Sequence, residues 1–184
     1  MDAWLAHVAE REDEIIAGDT AFVPSHVLDA EALESLVGKG VLPAAAVRPL
    51  SSASQLLEPW PDTVEALTRL SADVPVAGLS NASRRVLTGL RGSSGMRWHQ
   101  VLSAEDANTY KPDPAIYRLA LSVTPVGTPT PYMVAAHAWD LRAAAKAGLR
   151  TAYVPRPGGD PPAADDNFDL YADNLLQLHS KLRP

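Results

Sequence analysis

The sequence predicts an α/β fold in which a parallel sheet is covered by helices and follows a helical region. From Pro61 onward, amphipathic helical segments alternate with short apolar runs, a rhythm typical of parallel strands joined by helices. Before that point there are helical patterns and no strand pattern. A chain of 184 residues can bury one sizeable core but is too short for two full domains.

The first helical region contains two segments. Asp2 to Gly18 places apolar residues at helical spacing, with the charges from Glu10 to Glu14 on the other side, and Asp29 to Val37 ends at a glycine, a common helix stop. Several prolines then separate these helices from the later part of the chain. We therefore divide the chain into a helical region, residues 1–58, and an α/β region, residues 59–184.

The α/β region repeats one unit four times. The helices DTVEALTRL, SRRVLTGL, DPAIYRLAL and DLRAAAKAG lead in turn to the strands VPVAGLS, HQVLSA, YMVAAH and TAYVPR. The alanines of the fourth helix are small enough to let it lie close against the sheet. Pro155 to Asp166 is predicted to be a loop, and NLLQLHSKL a last surface helix.

Composition restricts the classes of function. The absence of cysteine excludes disulfides, thiolate zinc sites and a cysteine nucleophile. A net charge of −6 provides no basic surface for nucleic acid, and no segment has the pattern of a signal peptide or a membrane span. We expect a cytoplasmic protein that binds small molecules, with no nucleic-acid or membrane partner; a homodimer is left open.

Polar residues follow four of the predicted strands. In an open parallel sheet the ligand crevice lies at the carboxyl ends of the strands. The residues that the sequence places there are Ser80, Asn81, Lys111, His137, Asp140 and Arg156. Their coincidence at strand ends predicts one pocket suited to an anionic ligand.

Each of these residues also has a structural alternative. The serine and asparagine after the first strand, and the aspartate after the third, are suitable helix caps. The lysine suits a solvated loop, the histidine a satisfied core position, and Arg156 a surface charge. Tyr117, six residues after the lysine on a predicted helix, suits core packing.

Three stretches together resemble a known family. LSNAS, YKPDPAIY and MVAAHAWDLRAAAKAGLRTAYVPR are similar to the second, third and fourth motifs of the haloacid dehalogenase (HAD) superfamily, most closely its type II L-2-haloacid dehalogenase branch. GDTAFVPSHVLDAEALESL resembles the helical cap of that branch. The resemblance covers nearly the whole chain and implies a HAD-like, Rossmann-like parallel sheet with residues 1–58 as the cap.

The resemblance also implies roles for the polar residues. It makes Lys111 the holder of negative charge at the nucleophile, with no metal or other cofactor. The catalytic candidates are Lys111, Asp140 and Ser80, and the substrate-binding candidates are Ser80, Asn81, Tyr117 and His137. His137 and Asp140 would help to orient the lysine and the hydrolytic water.

One part of the family pattern is not found in this sequence. The family opens with an apolar strand followed by Asp-x-x-Gly-Thr, whose aspartate displaces halide and forms an ester that water then cleaves. No such stretch occurs here, and Leu5 stands where a cap arginine is expected. We therefore expect a truncated chain without the first core strand, and an inactive or incomplete dehalogenase.

That strand would lie between VPVAGLS and YMVAAH. Without it, we expect these two strands to pair directly, to take a substitute segment, or to be joined through a partner chain, because unpaired buried backbone groups are costly.

Three functions stay open from the sequence. The first is a HAD-like hydrolase acting on small 2-haloacids. The second is a non-catalytic module that binds small anions or proteins. The third and weaker one is a magnesium-dependent phosphatase, for which HAWD offers only one acidic residue.

Overall fold

The computed structural model describes residues 2–183 and shows an α/β fold, as predicted. The α-helices are α1 (Asp2–Ala17), α2 (Ser25–Gly38), α3 (Val47–Leu50), α4 (Thr63–Asp73), α5 (Arg84–Ser94), α6 (Pro114–Ser122), α7 (Ala138–Lys146) and α8 (Leu175–Leu182). The strands are β1 (Ala77–Ser80), β2 (Gln100–Ser103), β3 (Tyr132–Ala135), β4 (Arg150–Tyr153) and β5 (Leu170–Tyr171). Short 3-10 helices lie at Ala44–Ala46, Ala53–Gln55 and Ala104–Asp106.

The chain forms two compact units. The first takes the chain up to Glu58, together with Ser80–Gly95 and Ser103–Tyr110, and the second takes the remaining segments. The chain up to Glu58 thus groups with two later segments that lie within residues 59–184. The assignment of residues 1–58 as a cap and 59–184 as a core stays a prediction.

The first unit is organised around α1 and α2. Leu28, Leu33 and Leu36 of α2 are buried, as is Ile15 of α1. The indole Nε1 of Trp4 donates to Asp29 Oδ1 at 2.9 Å and adds a polar contact between the two helices. Apolar burial thus holds this pair together, since it is the dominant favourable contribution to folding.

The second unit contains a parallel three-stranded sheet in the order β3-β4-β5. The register pairs Tyr132 with Arg150 and Ala152 with Leu170. Helix α7 lies against β3 and β4 and buries Ala138, Leu141 and Ala144. The alanines of this helix were predicted to let it approach the sheet closely. Ala144 does so and is fully buried.

The strands form two separate sheets rather than one. Strand β1 pairs with β2, and β3 pairs with β4, so the expectation that β1 and β3 pair directly is wrong. Residues 2–58 contain helices and no strand, so they provide no substitute strand either. The third expectation, a partner chain between the two sheets, stays a prediction.

Most elements lie where the sequence places them. Helix α2 begins at Ser25, four residues earlier than expected, and the two-residue strand β5 was not predicted. Among residues 2–183, no helix combines the length and the apolar character needed to cross a membrane.

Candidate active site

Lys111 is held in a buried ion pair. Its Nζ lies 2.8 Å from Asp140 Oδ2, and the two side chains are 8% and 9% exposed. The loop that carries the lysine leads directly into α6, whose start is fixed by Pro114 in the first turn and by Asp113, which accepts from the backbone N–H of Ala115 at 2.7 Å. The local sequence therefore ends the loop firmly just after the lysine.

Tyr117 provides a second donor to the same carboxylate. It lies on α6 and is fully buried, and its hydroxyl donates to Asp140 Oδ1 at 2.7 Å. Burial, and then the Asp140 carboxylate, raise the pKa of the Tyr117 hydroxyl far above its usual value, so it keeps its proton and acts as a donor. Tyr117 thus has a polar role as well as the packing role considered for it.

Asp140 has both carboxylate oxygens engaged. Oδ2 accepts from Lys111 and Oδ1 accepts from Tyr117. It lies in the first turn of α7, but the residue at the N-cap is His137, and the side chain that accepts from a first-turn backbone N–H is that of Asp160, whose Oδ2 lies 3.1 Å from the Trp139 nitrogen. The helix-cap alternative for Asp140 is therefore wrong, and its geometry suits a residue that fixes the lysine rather than one that attacks a substrate.

His137 lies at the start of α7, three residues before Asp140. Its Nδ1 accepts from the backbone N–H of Asp160 at 3.2 Å, and its ring lies 5.9 Å from that of Trp139. The Asp160 loop approaches this closely because Gly159 has no side chain: a Cβ there would lie 2.5 Å from the backbone oxygen of Ala136. The histidine is half-buried at this point.

Arg156 is not a free surface charge. Its Nη2 donates to Asp62 Oδ2 at 2.8 Å, and the two side chains are largely buried. Burial raises the pKa of Asp62, but the hydrogen bonds from Arg156 and from the backbone N–H of Leu175 more than offset this and hold it below its usual value. The surface-charge alternative for Arg156 is wrong, because the pair is a structural contact within the second unit.

Ser80 and Asn81 belong to the first unit. Ser80 ends β1, and its Oγ accepts from the backbone N–H of Ala82 at 3.1 Å. The cap of α5 is Ser83, whose side chain accepts from the backbone N–H of Val86, so the helix-cap alternative for Ser80 and Asn81 is wrong. Ser80 and Asn81 are instead part of the turn that follows β1.

Asn81 has a partner that the sequence did not indicate. Its Nδ2 donates to Glu12 Oε2 of α1 at 3.2 Å. Burial, aided by the charges of Asp13 and Asp29, raises the pKa of Glu12 to about 7, although the hydrogen bond from Asn81 opposes the shift. Glu12 was missed because it lies in a run of charges that was assigned to the solvent side of the helix; no feature of the sequence distinguishes it from Glu10 or Glu14.

The structure thus brings three of the predicted residues, Lys111, Tyr117 and Asp140, into direct contact. His137 is linked to them through the first turn of α7. The common pocket for all the predicted residues stays a prediction. Among residues 2–183, no three histidine, aspartate or glutamate side chains form a group that could hold a metal ion.

Known proteins resemble this chain over most of its length. An (S)-2-haloacid dehalogenase from Pseudomonas fluorescens is 34% identical over 136 residues, which is 72% of this chain and 60% of the relative. The chain thus matches less than two thirds of the length of that curated relative. No protein-family model matches the chain.

Two solved structures cover the chain almost completely. A crystallised L-2-haloacid dehalogenase shares 32% identity with a TM-score of 0.88, covering 98% of this chain and 81% of that protein. A crystallised defluorinating L-2-haloacid dehalogenase shares 30% identity with a TM-score of 0.86, covering 100% of this chain and 79% of that protein. Sequence identity and structural similarity thus extend over about four fifths of both enzymes, and together they show the family to which this chain belongs. The chain belongs to the L-2-haloacid dehalogenase family of the HAD superfamily.

Proposed function

We propose that this protein acts in the hydrolytic removal of halide from small (S)-2-haloacids, and that the Lys111–Asp140–Tyr117 group holds negative charge at the reacting centre. The contact that carries the proposal is the buried pair between Lys111 and Asp140. A lysine ammonium has three N–H donors, so it can hold the Asp140 carboxylate and a second anionic oxygen together. The relatives that bear the haloacid dehalogenase name support the class of substrate.

The proposed chemistry requires a nucleophile besides Asp140. A carboxylate attacks C2 of the haloacid, the carbon–halogen bond breaks, and halide leaves with the bonding electrons. Water then cleaves the ester, giving a 2-hydroxy acid, a proton and the regenerated carboxylate. Asp140 is unsuited to the attack, because both of its oxygens accept hydrogen bonds from cationic or phenolic donors.

Ser80, Asn81 and His137 complete the proposal as ligand-binding residues. The hydroxyl of Ser80 and the carboxamide N–H of Asn81 are donors suited to the carboxylate of the substrate. His137 is suited to orient water, because its Nδ1 accepts from a backbone N–H and, in the neutral ring, this leaves the proton on Nε2.

Calorimetry with (R)-lactate tests the site, because a single displacement at C2 of (S)-2-chloropropionate inverts that carbon and gives (R)-lactate as the 2-hydroxy product. We expect Lys111→Met to weaken binding at least tenfold, because methionine keeps the length of the side chain without its charge. Lys146→Met is the matched control, since Lys146 is exposed in the last turn of α7. Circular dichroism of each variant checks folding, and Asn81→Ala provides the test if Lys111→Met does not fold.

A second function is favoured by the engagement of both oxygens of Asp140. A protein with this arrangement can bind a small carboxylate without reacting with it. The two functions separate in one experiment: lactate binding without halide release, even when an Asp-x-x-Gly-Thr peptide is supplied, favours the non-catalytic anion-binding module.

A further inference from the structure

The contact between Glu12 and Asn81 joins two segments that are far apart in the sequence. Glu12 lies in the middle of α1, and Asn81 directly follows β1, yet Asn81 Nδ2 donates to Glu12 Oε2 at 3.2 Å. Both side chains are half-buried and belong to the first unit. The carboxyl group of Glu12 is therefore a direct neighbour of a carboxamide that we assign to ligand binding.

The surroundings of Glu12 are acidic. Asp13 of α1 and Asp29 of α2 act on it electrostatically, and Glu12 in turn acts on the Tyr110 hydroxyl, which donates to the backbone oxygen of Val23. Charged or titratable side chains where α1 meets α2 also include Arg11, paired with Glu14 and Glu31, and His26, which acts on Asp29. Burial is the main cause that raises the pKa of Glu12 to about 7. The charges of Asp13 and Asp29 add to it, because Arg11 is already paired with two carboxylates and ionisation of Glu12 adds negative charge to an acidic region.

The protonation state of Glu12 determines how it bonds to Asn81. An ionised carboxylate only accepts, so the carboxamide presents its NH2 group to Glu12, as observed. A neutral carboxyl group has an O–H donor and bonds equally well to the carboxamide oxygen. Turning the carboxamide over exchanges its two ends, and the NH2 group then points away from Glu12.

We propose that Glu12 is a positioning residue for Asn81: when protonated it allows the Asn81 NH2 group to turn toward a small carboxylate ligand, and when ionised it holds that group to itself. The inference rests on the proposed function, since it takes Asn81 as a contact of the ligand. Ionised Glu12 opposes binding in two ways, because it removes a donor from the ligand and places a like charge near it. Binding of the anion is therefore accompanied by uptake of a proton.

The pH dependence of (R)-lactate binding tests the inference, because the lactate carboxyl is ionised throughout the range from pH 5.5 to 8.5. We expect the Kd of the wild-type protein to be nearly constant below pH 6 and to rise above pH 7, approaching about tenfold per pH unit as one proton becomes linked to binding. Glu12→Gln should bind with a flat profile, since glutamine offers a donor and an acceptor without titrating. Glu10→Gln, an exposed position on the same helix, is the control and should keep the wild-type profile.

A second measurement needs no variant of Glu12. Calorimetry in buffers of different ionisation enthalpy reports the number of protons taken up, which we expect to be close to one at pH 8 and close to zero at pH 5.5. Zero uptake at pH 8, or a Glu12→Gln profile with the wild-type slope, would overturn the role of Glu12. A merely structural role for Glu12 would shift stability but not proton uptake.

The result for Asn81→Ala separates this inference from the proposed function. If Asn81→Ala and Lys111→Met both weaken binding while the wild-type profile is flat, the proposed site stands and the role of Glu12 fails. If Asn81→Ala leaves the Kd unchanged, or the wild-type protein binds no lactate at any pH in the range, the ligand role of Asn81 fails and the role of Glu12 fails with it.

Discussion

Lys111 and Asp140 form an ion pair of 2.8 Å in which each side chain is less than a tenth exposed. Two charges removed from water depend on each other, because either one alone would remain buried without compensation. We expect Lys111→Met to lower the free energy of unfolding by about 3–5 kcal/mol, measured by urea denaturation at pH 7.

The double variant provides the control for this prediction. Lys111→Met combined with Asp140→Asn removes both charges, so we expect it to lose less stability than Lys111→Met alone. Strictly additive losses in the two single variants and the double variant would show that the pair is not energetically coupled.

Removal of the Tyr117 hydroxyl tests the second contact of Asp140. Tyr117→Phe keeps the ring in the core but deletes a 2.7 Å hydrogen bond to a charged acceptor, and we expect a loss of about 1.5–3 kcal/mol in the free energy of unfolding. Tyr132→Phe is a matched control. The contact of the Tyr132 ring is with the Arg150 guanidinium, 4.2 Å away, and phenylalanine keeps that ring. Equal losses in the two variants would contradict a specific role for the Tyr117 hydroxyl.

Glu12 makes the stability of the protein depend on pH near neutrality. Its pKa rises from an ordinary value of 4.5 to about 7 on folding, so between these values the folded protein holds a proton that the unfolded chain releases. The stability associated with neutral Glu12 is therefore full below pH 4.5 and is lost as the pH rises through 7. We expect Glu12→Gln to raise the free energy of unfolding at pH 8 by roughly 1–3 kcal/mol, after allowance for partial exposure, and to change it little at about pH 4.5.

The same comparison has an internal control in Glu10. Glu10→Gln removes an exposed carboxyl group from the same helix, so its effect on the free energy of unfolding should be small at both pH values. A Glu12→Gln protein that is no more stable than the wild type at pH 8 would show that burial does not favour the neutral form of Glu12.

The fourth prediction concerns turnover by the polypeptide of 184 residues. Removing the nucleophile from a site that acts as a unit costs on the order of a millionfold in turnover. Because Asp140 is engaged on both oxygens and the sequence contains no Asp-x-x-Gly-Thr stretch, we expect no halide release from (S)-2-chloropropionate above background. A peptide that carries an apolar strand followed by Asp-x-x-Gly-Thr should restore part of the activity.

Two results would contradict this prediction. Ordinary enzymatic halide release by the unsupplemented polypeptide, abolished in Asp140→Asn, would identify Asp140 as the nucleophile. Release that the Asp140→Asn change does not affect would locate the nucleophile at another residue of this chain.

The regular elements of the α/β region were predictable because their apolar period is local. The starts of the helices were harder to predict. Helix α2 begins at Ser25, after Pro24, whose backbone is extended, and the first turn of α2 has no acidic residue to mark it. Strand β5 has two residues, too few for any alternating pattern, and it forms because β4 offers an edge.

The candidate site was predictable where it depends on strand ends and not where it depends on tertiary contacts. The order of the strands placed Lys111 and Asp140 at the same rim, and the structure pairs them. By contrast, the helix-cap alternative for Ser80 and Asn81 is wrong, because Ser80 and Ser83 are equally suitable by type and only the backbone decides between them. Glu12 acquires its role from a residue 69 positions away, which no local pattern encodes.

The division of the strands into two sheets has a consequence for handling the protein. Among the described residues, β1 is paired on one edge by β2 and β3 on one edge by β4, so each keeps an edge that no described strand covers. Neither AGLS nor YMVA contains the charged residue or proline with which natural sheets discourage association, and Val134 is exposed. Such edges are templates for strand addition, so concentrated solutions of the polypeptide should aggregate, and light scattering should rise with concentration well before any loss of helical signal.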